Sequence, residues 1–405
     1  MALDTMAKER IDLLPLVRPQ IISNVDRLLI EFLSRLPQKT THIVFTGRFA
    51  LGGAERYAFA LYEALVEEHG KEQVVLVTTD QRTYDARHWL AEDANVVVMD
   101  ELQPMLDDES KMYILRHAIA AVRPRAIINV NAYVLWAMLL QYGKPLAALT
   151  SVYSCLFCYD YREDGIASGY ARTHFMDTFD AHAGYLIDND AFRSQLIADF
   201  AVPFALAGRL RTLYTPVPAT PQARLPREAM RGARKQVLWA SRFAHQKQPL
   251  LALEVARLRP DVDFHFFGGG GPAHIESLMR RAAAANVHWR GVFEAPEALV
   301  LSEFDAMLYT AIADGIPTIL LHVGAGGLPI VASAVGGVPE LVTDSTGWPV
   351  RQAADPVAYA NKLDMCLSSA RESSEKAERM QQLIARRHDV GEFRSRLTDY
   401  LGGRF

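Results

Sequence analysis

Residues 314–340 read Asp-Gly-Ile-Pro-Thr-Ile-Leu-Leu-His-Val-Gly-Ala-Gly-Gly-Leu-Pro-Ile-Val-Ala-Ser-Ala-Val-Gly-Gly-Val-Pro-Glu, with no Asp, Glu, Lys or Arg between Asp314 and Glu340. An uncharged run of this length invites a membrane-span reading. Its six glycines and three prolines (Pro317, Pro329, Pro339) would break a spanning helix. The stretch therefore reads as buried loops around a short strand, not as a membrane segment.

That strand, near Ile330–Ala332, is one of a series. Upstream lie Val237–Trp239, Phe264–Phe267, Val287–Trp289 and Ala306–Tyr309, and downstream lies Trp348–Val350. An earlier series runs His42–Phe45, Val74–Val77, Val96–Met99, Ala126–Val130, Ala147–Val152 and Tyr185–Ile187. These runs are nearly continuous in Val, Ile and Phe, as strands buried on both faces are. Helix-length amphipathic stretches separate them, such as Ala58, Leu61 and Leu65, or Leu251, Val255 and Leu258. Alternating strands and helices predict parallel sheets with crossover helices. The fold class is α/β, with two doubly wound, Rossmann-like domains facing a cleft at the carboxyl ends of their strands.

The predicted organisation is an N-terminal helical extension over residues 1–40, carried by Ile11, Leu14, Val17, Ile21, Val25, Leu28, Leu29 and Phe32. A first domain covers 41–210. A Pro-rich linker, 211–226, holds Pro216, Pro218, Pro221 and Pro226. A second domain covers 227–370, and helices occupy 371–405.

Composition agrees with a globular chain. The 405 residues are 50% hydrophobic and 22% charged, with three cysteines, which suits a reducing compartment. Net charge is −4 and the pI about 6.3, so there is no nucleic-acid footprint. Residues 1–205 carry 19 Lys and Arg against 27 Asp and Glu, and the remainder 24 against 20. A cationic cleft belongs more naturally to the second half. Asp4, Lys8, Glu9 and Arg10 follow Met1 with no apolar core behind them, so no signal peptide is expected.

Four motifs could carry chemistry. Gly52-Gly53-Ala54-Glu55 follows the first strand and opens the first long helix. Its amides could face an anion, or it could be a tight turn. Arg242 and Lys247 follow Val237–Trp239 and could clamp a diphosphate or be solvated surface charge. Phe267-Gly268-Gly269-Gly270-Gly271-Pro272 could let a nucleotide lie on backbone or be a flexible turn. The fourth is the opening stretch.

Together these four, in this order and spacing, resemble the donor-binding core of retaining glycosyltransferases of the GT-B fold, glycosyltransferase family 4 (group 1). The resemblance runs from about residue 42 to 395 and is strongest from 236 to 350. It implies transfer of a sugar from a nucleoside-diphosphate sugar to a glycan or glycolipid, with retention and without a metal, in surface polysaccharide synthesis. No cofactor is implied. Arg242 and Lys247 would hold the departing diphosphate, and Asp314 would contact the sugar hydroxyls. The Gly315, Ile316, Pro317 and Thr318 backbone would line sugar and phosphate, and His322 would face the ribose. Val292 and Phe293 would offer backbone to the base, with Gly269 beside them. Gly52 and Gly53 would face the diphosphate and acceptor. The final helices would return to the first domain.

The family's Glu-x7-Glu pair is here Asp314-x7-His322. Imidazole offers a ribose one acceptor and one donor where a carboxylate accepts from two hydroxyls. The pair could instead mark a nucleotide-sugar-binding protein that no longer transfers and partners an active transferase; a GT-B-like epimerase or phosphorylase is a further reading. No histidine stands near Val152-Tyr153-Ser154, so no catalytic histidine is assigned. Tyr153, Tyr159 and Tyr161, interleaved with polar groups, are candidates for stacking on acceptor sugar, with ordinary packing as the competing reading. Asp261-Val262-Asp263 begins a buried strand, Cys155 and Cys158 lack a second pair, and His174 and His182 lack a ligand set, so no metal site is expected. The expected location is cytoplasmic, with at most peripheral contact at the inner face of the membrane.

Overall fold

The computed structural model describes residues 23–80, 86–162, 164–218, 234–271, 273–282 and 284–402. Ile11, Leu14, Val17, Ile21, Pro221, Pro226 and Pro272 lie outside the described residues. Helix α1 (Asn24–Arg35) opens with a capping box in which Ser23 and Asp26 satisfy each other's backbone N–H. It buries Leu28 and Phe32 in the first core.

The first sheet is parallel throughout. It is built from β1 (His42–Thr46), β2 (Val74–Thr78), β3 (Val96–Val98), β4 (Ala126–Val130), β5 (Ser151–Leu156), β8 (Gly184–Ile187) and β9 (Leu210–Thr212), in the order β3-β2-β1-β4-β5-β8-β9. A small hairpin, β6 (Asp160–Tyr161) and β7 (Ala167–Ser168), leaves β5. His42 is in register with both Val74 and Ala126, and all five β1 residues are buried. Helices α2 (Gly53–His69), α3 (Asp108–Val122), α4 (Tyr133–Ala147) and α5 (Asp190–Asp199) cover the two faces.

The sequence placed a strand at Ala147–Val152, but it begins at Ser151. The apolar run there spans the end of α4 and the start of β5, so hydropathy alone does not separate them. Strand β9 was not expected. Its three residues include Arg211, and it lies at the sheet edge beside β8, where charge is tolerated.

The second sheet, also parallel, holds β10 (Lys235–Ala240), β11 (Val262–Phe267), β12 (Val287–Gly291), β13 (Ala306–Tyr309), β14 (Ile330–Ser333) and β15 (Trp348–Val350), in the order β12-β11-β10-β13-β14-β15. Helices α6 (Pro249–Leu258), α7 (Ala273–Ala282), α8 (Thr318–Ala325) and α9 (Pro356–Ser368) pack around it. In each sheet the strand order reverses beside its first strand, β1 or β10. Those carboxyl ends are where a doubly wound sheet offers a crevice.

Helix α10 (Ala370–Arg387) does not return to the first domain as expected. Its Met380 and Ile384 belong to the second domain's core. The crossing is made by α11 (Val390–Gly402), which buries Phe393 and Leu397 in the first domain's core and whose Tyr400 hydroxyl donates to Thr212 O (3.0 Å). The two chain crossings lie side by side, with Val217 N–H donating to His388 O at 2.8 Å.

After β14 the chain turns back on the loop that follows β13. Gly336 has φ +52°, a Cβ there would overlap the Asp314 carbonyl, and Gly337 N–H donates to Asp314 O at 3.1 Å. Gly336→Ala is expected to lower the melting temperature by several degrees, whereas Gly208→Ala, with nothing within 4 Å, should be near neutral; scanning calorimetry separates them. Phe32→Ala should cost about 3–5 kcal/mol in urea unfolding, as emptying a buried aromatic site does.

Candidate functional site

A cavity of about 480 Å³ lies between the domains, at the carboxyl ends of both sheets. The loop after β1 brings Gly52 and Gly53 to it. The β10 loop brings Arg242 and Lys247, the β11 loop Gly269, the β12 loop Val292 and Phe293, and the β13 loop Asp314 to Thr318. The two Gly-rich and two charged motifs, far apart in sequence, thus line one space.

Two helices begin there, one from each domain. The N-cap of α2 is Gly52 and that of α8 is Pro317, and neither supplies a side-chain acceptor. At α8 no side chain caps the first turn, whereas at α2 the Glu55 carboxylate folds back beside Gly52 and pairs with Arg48 (3.8 Å). The two ends face each other, since a Cβ on Gly53 would be 3.5 Å from the Thr318 side chain. Two helix dipoles direct positive ends at the same volume, which suits an anion.

Arg242 is exposed in the cleft, and its charge is felt by Glu55 and Asp160. Lys247 is largely buried and pairs with the Asp314 carboxylate. Tyr309 joins them: its hydroxyl donates to Asp314 and accepts from Lys247 Nζ (3.1 Å). Burial and the Asp314 charge hold the Tyr309 phenol well above its ordinary range. Asp314 Oδ1 accepts from Gly315 N–H (3.1 Å). Lys247 and Asp314, assigned separately from the sequence, are therefore one ion pair. Val292 is 70% exposed, and the loop carrying it comes close to Gly269, where a Cβ would lie 2.8 Å from Val292 Cγ2.

His322 does not line this cavity. Four residues beyond Thr318 on α8, it opens on an adjoining cavity of about 210 Å³. There Glu297 is bonded to Arg56 of α2 (2.5 Å), with His322 Nδ1 3.9 Å away, and the Arg56 guanidinium stacks 4.4 Å over Trp89. Burial lowers the His322 proton affinity, and Glu297 opposes that.

The acceptor-side tyrosines are also corrected. Tyr153 is buried on β5, with its hydroxyl donating to Tyr400 O (3.3 Å). Tyr159 is buried edge-on to Phe192 and donates to Asp199 (2.9 Å). Tyr161 packs against the first domain's core. Extended chain alternates faces, so Tyr159 and Tyr161 turn inward while Cys158 and Asp160 turn to the cleft. Period two in that aromatic run was the available signal. Burial raises the Asp160 carboxyl, and Arg242 opposes it. The Cys158 thiol is pushed well up by burial and then by Asp314 and Asp160.

Asp188 and Glu340 were not read as site residues. Ile316 N–H donates to Asp188 Oδ2 (3.1 Å). Glu340 accepts from Ala191 N–H (2.6 Å) at the start of α5 and from the Tyr214 hydroxyl (2.7 Å). Both bonds to backbone cross between domains. Among the described residues no group of three or more His, Cys, Asp or Glu is placed to hold a metal, and no helix is long and apolar enough to cross a membrane.

Residues 234–369 match the family model described as glycosyl transferases group 1. The chain is 29% identical over 141 residues to the O-antigen biosynthesis glycosyltransferase WbnH of Escherichia coli, a stretch covering 35% of this chain and 40% of that protein. The probable O-antigen biosynthesis glycosyltransferase WbiN of Escherichia coli matches equally, at 29% identity over 35% of this chain and 40% of its own. The chain thus aligns with less than half the length of these relatives. In overall fold it is similar to Anabaena Alr3699/HepE in complex with UDP and glucose (TM-score 0.69, 14% identity, 90% of this chain and 100% of that one). It is similar too to sucrose-phosphate synthase (tll1590) from Thermosynechococcus elongatus (TM-score 0.70, 16% identity, 89% and 98%). Likewise it resembles the lipopolysaccharide outer core galactosyltransferase WaaB (TM-score 0.66, 15% identity, 89% and 99%). The chain has the two-domain GT-B fold, and its residues 234–369 are a group 1 glycosyltransferase domain.

Proposed function

We propose that the protein is a glycosyltransferase that moves a sugar from a nucleoside-diphosphate sugar to a glycan or glycolipid acceptor of surface polysaccharide synthesis, with retention and without a metal. The observation that carries this reading is the pair of facing helix N-termini, with Arg242 beside them and Lys247 on the same wall. A diphosphate bridging the domains there gains donors from both. Those groups are in place before charge develops on the leaving phosphate, where preorganised donors act most strongly. In a front-face displacement the bond from the anomeric carbon to the diphosphate oxygen breaks. The acceptor hydroxyl oxygen takes that carbon on the same face, and its proton passes to the departing oxygen. Asp314, on the loop beside the sugar, would take hydroxyl hydrogen bonds there, with its charge already fixed by Lys247.

Thermal shift against UDP-, GDP-, ADP- and dTDP-sugars tests binding. A donor at about 100 times its Kd adds roughly 2.7 kcal/mol, a rise of a few degrees; no shift with any of them in folded protein would remove the reading. In a transfer assay with excess chelator, Arg242→Ala and Lys247→Ala should each lower kcat by about 10²–10³. Near-wild-type turnover in both variants would reject their assignment, and an inverted anomeric proton in the product spectrum would reject retention.

A further inference from the structure

Strand β8 ends at Ile187, and Asp188 follows it beneath the cleft, 3% exposed. Its Oδ1 accepts from Asn189 Nδ2 (2.7 Å) and its Oδ2 from Ile316 N–H (3.1 Å), across the domain boundary. Asn189 is itself fixed. Its Oδ1 caps α5 through Phe192 N–H (2.7 Å), and its Nδ2 also donates to Phe157 O (3.0 Å). The second domain meets this brace with bare backbone. A Cβ on Gly315 would lie 2.6 Å from Asp188 Oδ2 and 2.9 Å from Phe157 O, and one on Gly337 would lie 2.8 Å from Asn189 Cγ. The loop so held, 314–318, carries Asp314 and opens α8.

Among the described residues no cation pairs with Asp188. Burial pushes its carboxyl up to about 8, with Asp314 and Glu340 adding to the effect. The other titratable groups that feel it are Cys155 on β5, Cys158 beyond it and Tyr57 on α2, all held neutral by burial. A charge on Asp188 therefore faces two carboxylates and no compensating cation. An apolar or amide side chain would fill the same space without that cost, so space-filling does not account for the carboxyl.

On the glycosyl-transfer reading above, we propose that Asp188 is a positioning residue: through the Ile316 amide, the first domain sets where the 314–318 loop presents Asp314 and the first turn of α8 to the donor. The loop that meets the donor sugar then has its working shape only while the domains are closed.

Asp188→Ala and Asp188→Asn in the full chain test this. Amide hydrogen exchange over 314–318, without donor, comes first because it does not depend on activity. Asp188→Ala should exchange about three- to ten-fold faster there, as loss of one hydrogen bond allows. Asp188→Asn, which keeps an oxygen for Ile316 N–H, should stay closer to wild type. In transfer assays Asp188→Ala should raise donor KM about ten-fold with a smaller change in kcat. Wild-type kcat/KM should fall as pH passes about 8, where the carboxyl ionises, and the Asn variant should lack that limb. The unfolded carboxyl titrates near 3.8 and the folded one near 8, so the folded state binds the extra proton between them. Wild-type stability relative to Asp188→Asn should therefore decline as pH rises across that window. Unchanged exchange at 314–318 in folded Asp188→Ala, or the same alkaline limb in both proteins, overturns the proposal. If the Ala variant does not fold, the Asn variant carries the test through its pH profile. Altered exchange in a protein that transfers no sugar would uphold the brace and reject the enzymatic reading.

Discussion

The cleft depends on hydrogen bonds that cross between the domains at its floor. Ile316 N–H to Asp188 and Ala191 N–H to Glu340 each join a backbone donor of one domain to a carboxyl of the other. At the opposite side Arg56 meets Glu297, and behind both the chain crosses twice, at Val217 and His388. Backbone donors fix position more tightly than two long side chains, because fewer torsions must be ordered. The geometry of the facing helix ends follows from these bonds.

Charge placement follows the same division of labour. The first half of the chain is acidic and the second basic, and the second domain brings its cations to the cleft on the β10 loop. Lys247 is paired with Asp314 and donates to the Tyr309 hydroxyl, whereas Arg242 stands in the open cleft. The two cations differ in freedom: Lys247 orients a carboxylate, and Arg242 remains available to an incoming anion.

The central strands were legible because they are buried on both faces. Runs such as His42–Phe45 and Val237–Trp239 have no polar alternation to blur them. Where that condition lapses, the sequence misleads. The edge strand β9 is short and charged, and the start of β5 merges with the end of α4. In the site, motif spacing located Gly52, Gly53, Arg242, Lys247 and Asp314, because each follows a strand directly. It misjudged Tyr153, Tyr159 and Tyr161, whose facing depends on strand phase, while His322, one turn along α8 from Thr318, lines the adjoining cavity. Asp188 left no local trace, and Glu340 stood in the Gly-Gly-x-Pro-Glu stretch with its inter-domain bond illegible there. Their partners are 128 and 149 residues away, and only the closed arrangement of domains brings each to its amide.

Cys158 sits on the cleft wall with its thiol kept protonated by burial and by two neighbouring carboxylates. Alkylating reagents attack the thiolate, so this sulfur, partly exposed on the wall, is shielded by staying protonated. When the domains separate, Asp314 leaves with the second domain and water enters, so much of that shield lapses. The labelling rate at this single atom is therefore a clock for domain opening, built into the wall of the cleft and readable without any dye or engineered label.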